Sequence, residues 1–363
     1  MLPSHSFCGA SITTAAHGRS DIIEILDNKP DARFDALRTW VSGIDGFAGA
    51  DFHAVSTDAS FRHYYRVTVN GACCIEMDAP PPAESCEKFV RIANWLREMS
   101  LNCPHILQQN TEQGFLLISD LGERLYLDEI TRQPSATDSL YRDALAALRL
   151  LQSRGQYRQS QLPPYDARLL QFELSIFREW LCEKHLQLTF TSQESGEWKR
   201  CCEFLVDAAL AQPRVFVHRD YHSRNLMVTP TNNPGILDFQ DALEGHLTYD
   251  VVSLLRDCYF CLPKDKVREW ALHYHASLPG PLSAGLTAGD FLRFFDLAGA
   301  QRHLKAAGIF ARLLTRDAKP GYMRDVPRTL RYVSALAPKY PQLEFVGALI
   351  DERILPALGS LHA

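Results

Sequence analysis

The feature that most constrains this chain is a set of three polar residues that lie between short apolar runs. Asp220 is followed five residues later by Asn225, and Asp238 comes thirteen residues after that. The neighbouring apolar runs, among them residues 215–217 and 236–237, predict short buried strands. Because the ends of such strands project side chains toward a common edge, we expect the three polar groups to share one cleft.

Polar residues in this order suit phosphoryl transfer from a nucleotide. The pattern H-R-D-x-x-x-x-N followed by D-F is typical of the catalytic core of kinase-like phosphotransferases. We predict that Asp220 is the catalytic base, which accepts the proton of the attacking hydroxyl. Asn225 and Asp238 are predicted to supply oxygen ligands to a Mg²⁺ ion that bridges the phosphates.

Neighbouring polar residues have expected roles of their own. His218 and Arg219 are expected to organise the loop by hydrogen bonds and to take part in no chemical step. His222, two residues after the base, either reaches the substrate or packs within the loop. Asp250 begins an apolar helical stretch, where helix capping is its expected role. Asp241 is a candidate polar contact near the metal.

The first third of the chain has the pattern of short strands. Asn70-Gly71 is a strong signal for a β-hairpin, and residues 84–99 read as the principal helix of this part. We predict a small β-rich N-terminal lobe over residues 31–120 that binds the nucleotide. Residues 1–30 are expected to form a disordered extension without catalytic residues.

The rest of the chain is predominantly helical in pattern. Amphipathic stretches predict helices over residues 139–152, 169–185, 196–211, 250–262, 267–276, 288–315 and 326–340. The predicted fold class is therefore α+β, with two lobes. The larger C-terminal lobe, residues 121–363, is expected to carry catalysis and to bind the substrate, with the nucleotide between the lobes.

Composition excludes several classes of partner. The formal charge is −5 at pH 7 and no run of lysines and arginines occurs, so the chain lacks the basic surface that nucleic-acid binding needs. No apolar segment approaches the ~18 residues of a membrane span. We therefore expect a small-molecule substrate, no nucleic acid, no membrane association and a monomeric state.

The ten cysteines lack the spacing of a metal site or a disulfide framework. Cys258 and Cys261 lie in the predicted helical stretch over residues 251–262, where packing is their expected role. Many free thiols indicate a reducing compartment, and we predict a cytoplasmic location.

The catalytic segment resembles the aminoglycoside-phosphotransferase (APH) family, relatives of protein kinases that phosphorylate small molecules. The resemblance rests on H-R-D-Y-H-S-R-N-L-M, G-I-L-D-F-Q-D-A and Y-D-V-V-S-L-L-R-D. Further phrases, T-D-A-S-F-R-H-Y-Y-R-V, M-D-A-P-P and L-L-I-S-D-L-G, are similar to the bacterial N-acetylmuramate/N-acetylglucosamine anomeric kinases. The resemblance implies a protein-kinase-like fold, ATP as phosphate donor and an amino-sugar acceptor in peptidoglycan recycling.

The same resemblance implies which residues hold the nucleotide. Residues 58–62, with Ser60, Phe61 and Arg62, would form the turn that covers the phosphates. The backbone from Ser119 to Leu121 would hydrogen-bond the adenine. In one respect the chain departs from the family pattern, because the third strand lacks the lysine that usually grips the α- and β-phosphates.

A cation for the phosphates therefore has to be found elsewhere. Arg62 and Arg66 are the candidates, and Arg62 is favoured because it lies at the turn. Loss of the lysine also leaves open a nucleotide-binding pseudokinase, although Asp220, Asn225 and Asp238 are all retained.

The acceptor is the second open question. An N-acetylmuramate carboxylate would need a cation, for which Arg256, Arg302, Lys305 and Arg312 are candidates. We favour His222, Asp241 and Arg256 as substrate residues. A cationic acceptor such as choline or an aminoglycoside would instead favour acidic groups, and Asp241, Glu244 and Asp257 could provide them.

Overall fold

A computed structural model describes residues 32–57, 62–81 and 85–360. The predicted extension over residues 1–30 and the predicted nucleotide contacts Ser60 and Phe61 lie outside the described residues. Helix α1, Ala32–Ser42, buries Leu37 and Val41. It belongs to a unit that ends at Gly49, and a second compact unit begins at Ala50.

The second unit opens with a five-stranded antiparallel sheet in the order β1-β2-β3-β5-β4. Its strands are β1 Asp51–Thr57, β2 His63–Val69, β3 Ala72–Asp78, β4 Ile106–Asn110 and β5 Phe115–Ser119. The predicted hairpin at Asn70-Gly71 is confirmed, with φ of 48° and 78° at the two turn residues. Strand β1 was not predicted, since it is an edge strand whose described side chains are mostly exposed.

One helix covers this sheet and connects it to the rest of the molecule. Helix α2, Cys86–Glu98, buries Phe89, Ile92, Ala93 and Leu96, the four residues that the apolar spacing predicts to face inward. The Phe89 ring lies 4.7 Å from the ring of Phe239, centroid to centroid. Helix α2 thus contacts the segment that carries Asp238.

The remainder is mainly helical. The α-helices are α3 Tyr126–Arg132, α4 Thr137–Arg154, α5 Ala167–Ile176, α6 Ser192–Leu210, α7 Tyr249–Leu255, α8 Lys264–Ser277, α9 Gly280–Ser283, α10 Ala288–Asp317, α11 Val326–Ser334, α12 Glu344–Ala348 and α13 Leu355–Ser360. Two segments are π-helical, Phe177–His185 and Leu349–Ile354. The 3₁₀ turns are Pro134–Ala136, Gly155–Tyr157, Gln159–Gln161, Pro320–Asp325 and Pro341–Leu343. None of the described helices has the length and apolar character needed to cross a membrane.

Four short strands frame the centre of the helical part. Strand β6, Arg214–Val217, pairs antiparallel with β9, Leu243–His246. Strand β7, Leu226–Met227, pairs with β8, Gly235–Ile236. The loop between β6 and β7 contains the predicted base, and β8 leads directly to the second predicted aspartate.

Helix α10 is the longest element and runs through the helical part. A capping box between Thr287 and Asp290 begins it, and Ala318 ends it in the left-handed region at φ 53°. Gly308 permits a close crossing with the π-helical segment, because a Cβ there would lie 2.5 Å from the backbone nitrogen of Phe177. Four polar residues in the middle of α10 are buried: Gln301, Arg302, His303 and Lys305.

Two predicted helices are shorter than their apolar patterns indicate. The stretch over residues 250–262 leaves the helical conformation at Arg256, where the Asp257 carboxylate accepts the backbone N–H of Tyr259 at 2.8 Å and forms a turn. The expectation of a helical setting for Cys258 and Cys261 is therefore wrong. Likewise, the helix predicted over residues 326–340 ends at Ser334.

Histidines buried in this core should make the fold sensitive to acid. His246 packs against Tyr165 and Tyr249 at centroid distances of 5.1 and 5.2 Å, and burial lowers its pKa to about 3. Because the folded pKa lies below the unfolded value near 6.5, the stabilisation is present above pH 6.5 and is lost as the pH falls. When the pH is lowered from 8 to 5, the free energy of unfolding of a His246→Phe variant should therefore fall by about 2 kcal/mol less than that of the wild type. Urea unfolding of both proteins at the two pH values measures this difference. Equal decreases in the free energy of unfolding of the two proteins would contradict the prediction.

Candidate active site

The three predicted polar residues lie together at the ends of the short central strands. Asn225 immediately precedes β7, and its backbone oxygen accepts the N–H of Leu237 at 2.9 Å, so the hairpin aligns it with the segment after β8. The Asn225 Nδ2 atom donates to the backbone oxygen of Asp220 at 3.0 Å and to Asp238 Oδ2 at 3.3 Å. The three residues are therefore joined through the Asn225 amide, to Asp220 by its backbone oxygen and to Asp238 by its carboxylate.

Two residues of this segment have unusual backbone conformations. Arg219 has φ of 78° and Asp238 has φ of 59°, values that side chains with a Cβ rarely adopt. Such conformations persist only where the surrounding contacts hold them, and they are frequent at active sites. They turn the chain sharply just before Asp220 and at Asp238 itself.

The loop that carries Asp220 is held by a buried carboxylate from α7. Asp250 accepts the backbone N–H groups of His218 and Arg219 at 2.6 and 3.0 Å, and burial raises its pKa to about 7. The expectation that Asp250 caps its helix is therefore wrong, since its carboxylate is used by the loop. His218 contacts the backbone oxygen of Leu237 through Nε2 at 3.0 Å, which agrees with its predicted organising role.

A second carboxylate holds the far side of the same loop. Asp257 Oδ2 accepts both the backbone N–H and the Oγ hydroxyl of Ser223, at 2.9 and 2.6 Å. Its other oxygen is taken by Tyr259. Asp257 is therefore a structural acceptor, although it had been a candidate for a cationic substrate.

Asp220 lies in a predominantly cationic environment. Burial by itself would raise the pKa of this half-buried carboxyl, but the charges of Lys305, His222, Arg219 and Arg302 together lower it. The net pKa of Asp220 is below its ordinary value. The group is consequently a carboxylate near neutral pH, which is the form that a base requires.

Two of these cations, Arg219 and Lys305, belong to a buried ionic cluster centred on Glu173. Glu173 is 2% exposed and accepts from Arg219 at 2.7 Å and from Lys305 at 3.0 Å. Tyr165 and Gln301 also donate to it. Burial opposes ionisation, but the two cations lower the pKa of Glu173 below its usual range. No motif surrounds Glu173 in the sequence, and sequence reasoning missed it.

The donors around Asp238 suit a hard cation. Asp238 Oδ1 accepts from Gln240 Nε2 at 2.7 Å, and Gln240 Oε1 is buried without a hydrogen-bond partner among the described residues. A carboxylate and two amide side chains are oxygen donors of the kind that Mg²⁺ prefers. In the described part of the chain no group of three or more His, Cys, Asp and Glu side chains forms a metal site. A closed cage is unnecessary, however, because Mg²⁺ takes further ligands from phosphate and water.

The predicted adenine contacts lie where the sheet joins the helical part. Ser119 is tied to His105, whose backbone oxygen accepts the Ser119 N–H and whose N–H donates to Ser119 Oγ, both at 2.9 Å. Leu121 follows outside the strand, and Gly122, with φ of 96°, completes the turn. The backbone of Leu121 makes no hydrogen bond with the described residues.

The two candidates for the cation that would replace the strand lysine have different surroundings. Arg66 donates to Asp120 Oδ2 at 2.7 Å and also pairs with Glu123, so its charge is used within the protein. Arg62 is buried and directly precedes β2. Strand β3 contains no lysine, and Glu76 is buried there instead. Arg62 stays the predicted phosphate contact.

The structure places the three predicted substrate residues in different surroundings. His222 is buried, contributes to the field on Asp220 and packs edge-on against Tyr259. Asp241 is exposed in the turn after Gln240. Arg256 forms an ion pair with Asp296 at 2.6 Å, so its guanidinium has a structural partner. Of the three, only His222 is placed with the predicted base by these contacts.

Known proteins with similar sequences and folds are phosphotransferases. Residues 51–286 match the phosphotransferase enzyme family (APH). The chain is 42% identical over 335 residues to an N-acetylmuramate/N-acetylglucosamine kinase of Pseudomonas aeruginosa, covering 88% of this chain and 96% of that protein. It is 44% identical over 302 residues to the protein of the same name from Pseudomonas putida, covering 82% and 87%.

Solved structures of low sequence identity share the fold. An ethanolamine kinase of Plasmodium vivax superposes with a TM-score of 0.60 at 12% identity, covering 89% of this chain and 93% of that one. An ADP-bound aminoglycoside phosphotransferase, APH(2'')-Ib, has a TM-score of 0.56 at 16% identity, covering 83% and 97%. The predicted two-lobed, protein-kinase-like fold is confirmed. The chain therefore belongs to the phosphotransferase enzyme family, and it is an ATP-dependent phosphotransferase.

Proposed function

We propose that the protein transfers the γ-phosphoryl group of ATP to the anomeric hydroxyl of N-acetylmuramate, N-acetylglucosamine or both. The observation that carries this is the convergence of Asp220, Asn225 and Asp238 in a chain whose relatives at 42% and 44% identity are kinases of these two sugars. The product is a sugar 1-phosphate, and a role in peptidoglycan recycling follows from the acceptor.

The chemistry assigned to Asp220 is that of a general base. Its carboxylate accepts a hydrogen bond from the acceptor hydroxyl and holds that oxygen in line with the γ-phosphorus. As the new P–O bond forms, the hydroxyl proton moves to Asp220, and the bond to the β,γ-bridging oxygen breaks to leave ADP. The nearby cations keep Asp220 ionised between turnovers.

Asp238 and Asn225 are assigned to magnesium, with Gln240 as a further donor. When bound, Mg²⁺ neutralises charge on the phosphates and aligns them for transfer. The hydrogen bonds from Asn225 and Gln240 orient the Asp238 carboxylate, and loop strain at Asp238 directs it. These contacts prepare the carboxylate for the ion, because a ligand that is already oriented loses less conformational entropy on binding.

We assign the nucleotide to the β-rich lobe, residues 31–120, and catalysis to residues 121–363. The turn with Ser60, Phe61 and Arg62 would cover the phosphates, and Ser119 and Leu121 would bind the adenine through their backbone. All nine cysteines in the described residues are free thiols, which supports a reducing, cytoplasmic setting.

The charge around Asp220 disfavours a cationic acceptor. Arg219, Lys305 and Arg302 all act on this carboxylate, whereas the acidic candidates are otherwise engaged or exposed. Asp257 binds Ser223 and Glu244 lies near Arg214. Choline and aminoglycosides are therefore less suited to the site than a neutral or anionic sugar.

Turnover should therefore occur with amino sugars and depend on magnesium. We expect ATP consumption with N-acetylmuramate or N-acetylglucosamine, little with choline or kanamycin, and none after chelation of Mg²⁺. A coupled ADP assay over the four acceptors tests this, and a ³¹P-coupled carbon spectrum of the product shows whether C1 bears the phosphate. ATP binding without turnover of any acceptor would instead support the pseudokinase alternative. Turnover restricted to choline or kanamycin would reject the sugar assignment.

A further inference from the structure

Arg302 is a buried cation of α10 that forms no ion pair with a carboxylate of the described residues. It is 5% exposed, and no Asp or Glu of the described residues lies within ion-pairing distance of it. Its Nη1 atom donates to Cys258 Sγ at 3.4 Å. Burial raises the pKa of that thiol, so Cys258 contributes a neutral acceptor and no compensating charge.

Two of the three other cations predicted for an acidic substrate are paired with carboxylates of the protein. Lys305 is paired with Glu173 at 3.0 Å, and Arg256 is paired with Asp296 at 2.6 Å. Arg312 lies further along α10 and is half-buried. It forms no ion pair with the described residues, and its charge is not among the main ones that act on Asp220. An unpaired buried charge is costly. Arg302 is the more buried of the two unpaired cations, and its charge is among the main ones that act on Asp220.

Arg302 contacts the segment that holds the loop of the predicted base, because Cys258 follows Asp257, whose carboxylate binds Ser223. Its charge is among those that lower the pKa of Asp220, and it also acts on His222. A second polar group here has no partner: His222 Nδ1 is buried without a hydrogen bond to any described residue. Its ring packs on Tyr259, 5.3 Å between centroids. The backbone N–H of His222 donates to the backbone oxygen of Asp220 at 3.1 Å. Two polar groups with few partners are therefore connected to the loop that carries Asp220.

We infer that Arg302 binds the lactyl carboxylate of N-acetylmuramate, and that His222 Nδ1 hydrogen-bonds a polar group of the same sugar. This inference rests on the proposed function. A guanidinium offers five N–H donors and binds carboxylates through two of them at once. N-acetylglucosamine has the same anomeric hydroxyl but lacks the lactyl group. Arg302 is thus a specificity residue that discriminates between the two acceptor sugars.

The experiment compares the two sugars in matched variants. In Arg302→Met, kcat/KM for N-acetylmuramate should fall about 10- to 100-fold relative to kcat/KM for N-acetylglucosamine, the worth of a charge-assisted hydrogen bond. Most of the change should appear in KM. Arg302→Lys keeps the charge without the paired donors and should lose less. Arg312→Met removes one positive charge from the same helix and should leave the ratio between the sugars unchanged.

A modified substrate tests the same contact without changing the protein. Amidation of the N-acetylmuramate carboxylate should reduce kcat/KM of the wild type by a factor similar to that of the Arg302→Met substitution. The same amidation should have little effect on Arg302→Met. This result does not depend on the stability of any variant, because the wild-type response alone shows whether the carboxylate is bound as an anion.

The possible failures have different signatures. Equal losses on both sugars in a folded Arg302→Met protein would overturn the inference and place Arg302 with the phosphates or the fold. Full wild-type activity on the amide would overturn it as well. A wild type that turns over neither sugar would reject the proposed function itself, which is a separate result from an active enzyme with an unchanged sugar ratio.

Discussion

Replacement of Asp220 by asparagine should lower kcat about 10²- to 10⁴-fold, the usual contribution of a general base, while ATP still binds. Asparagine has nearly the same shape but cannot accept a proton from the acceptor hydroxyl. The loop should keep its conformation, because the Asp250 carboxylate and Asn225 hold it through backbone groups. Steady-state kinetics give kcat, and calorimetric titration with ATP gives the binding constant.

A matched control separates loss of the base from loss of a negative charge. Asp207→Asn makes the same chemical change at an exposed position on α6 and should leave kcat unchanged. If Asp220→Asn kept wild-type turnover, Asp220 could not be the base. If it lost ATP binding as well, the effect would be on the architecture of the cleft, and the catalytic assignment would not follow from it.

Replacement of Glu173 by glutamine should reduce the free energy of unfolding by about 3–5 kcal/mol, as when one partner of a buried ion pair is removed. The substitution leaves Lys305 and Arg219 without their shared carboxylate. Glu173 is 2% exposed, so water cannot take its place as a partner of the two cations. Urea unfolding monitored by tryptophan fluorescence and by circular dichroism measures the change.

Glu98→Gln provides the comparison for a surface pair. Glu98 bonds Arg158 at 2.7 Å, but its side chain is 54% exposed, and such pairs contribute about 0–1 kcal/mol. A similarly small effect at both positions would show that solvent screens the Glu173 cluster. Such a result would also weaken the explanation for the lowered pKa of Asp220, since Lys305 and Arg219 belong to that cluster.

Local patterns predicted a large part of the fold. The apolar spacing of α2 identified four of its six buried residues, and Asn70-Gly71 identified the turn between β2 and β3. In both cases the residues that interact are near each other in sequence. Edge strand β1 was missed because strands with exposed side chains lack the alternation on which such predictions depend. The end of α7 was misplaced because the turn at Asp257 interrupts an apolar run that otherwise continues.

The same distinction between local patterns and long-range contacts applies to the active site. Asp220, Asn225 and Asp238 could be predicted together because one short hairpin, β7 with β8, aligns them within nineteen residues of sequence. Asp250 was noticed but given the wrong role, since its position at a helix start says nothing of the loop that it contacts. Glu173 and Gln240 were not found, and Arg256 was preferred to Arg302 although Asp296 neutralises it.

The sequence by itself determined the reaction class, because the predicted base and the two predicted metal ligands lie in one short segment that the β7–β8 hairpin keeps together. Only the tertiary structure decided which charges surround that base. Glu173, Asp250 and Arg302 lie on α5, α7 and α10, and helix packing brings them to the same loop. Burial then decides their effect: a buried cation with a carboxylate partner contributes to the fold, whereas we infer that Arg302, which has no such partner among the described residues, binds a ligand.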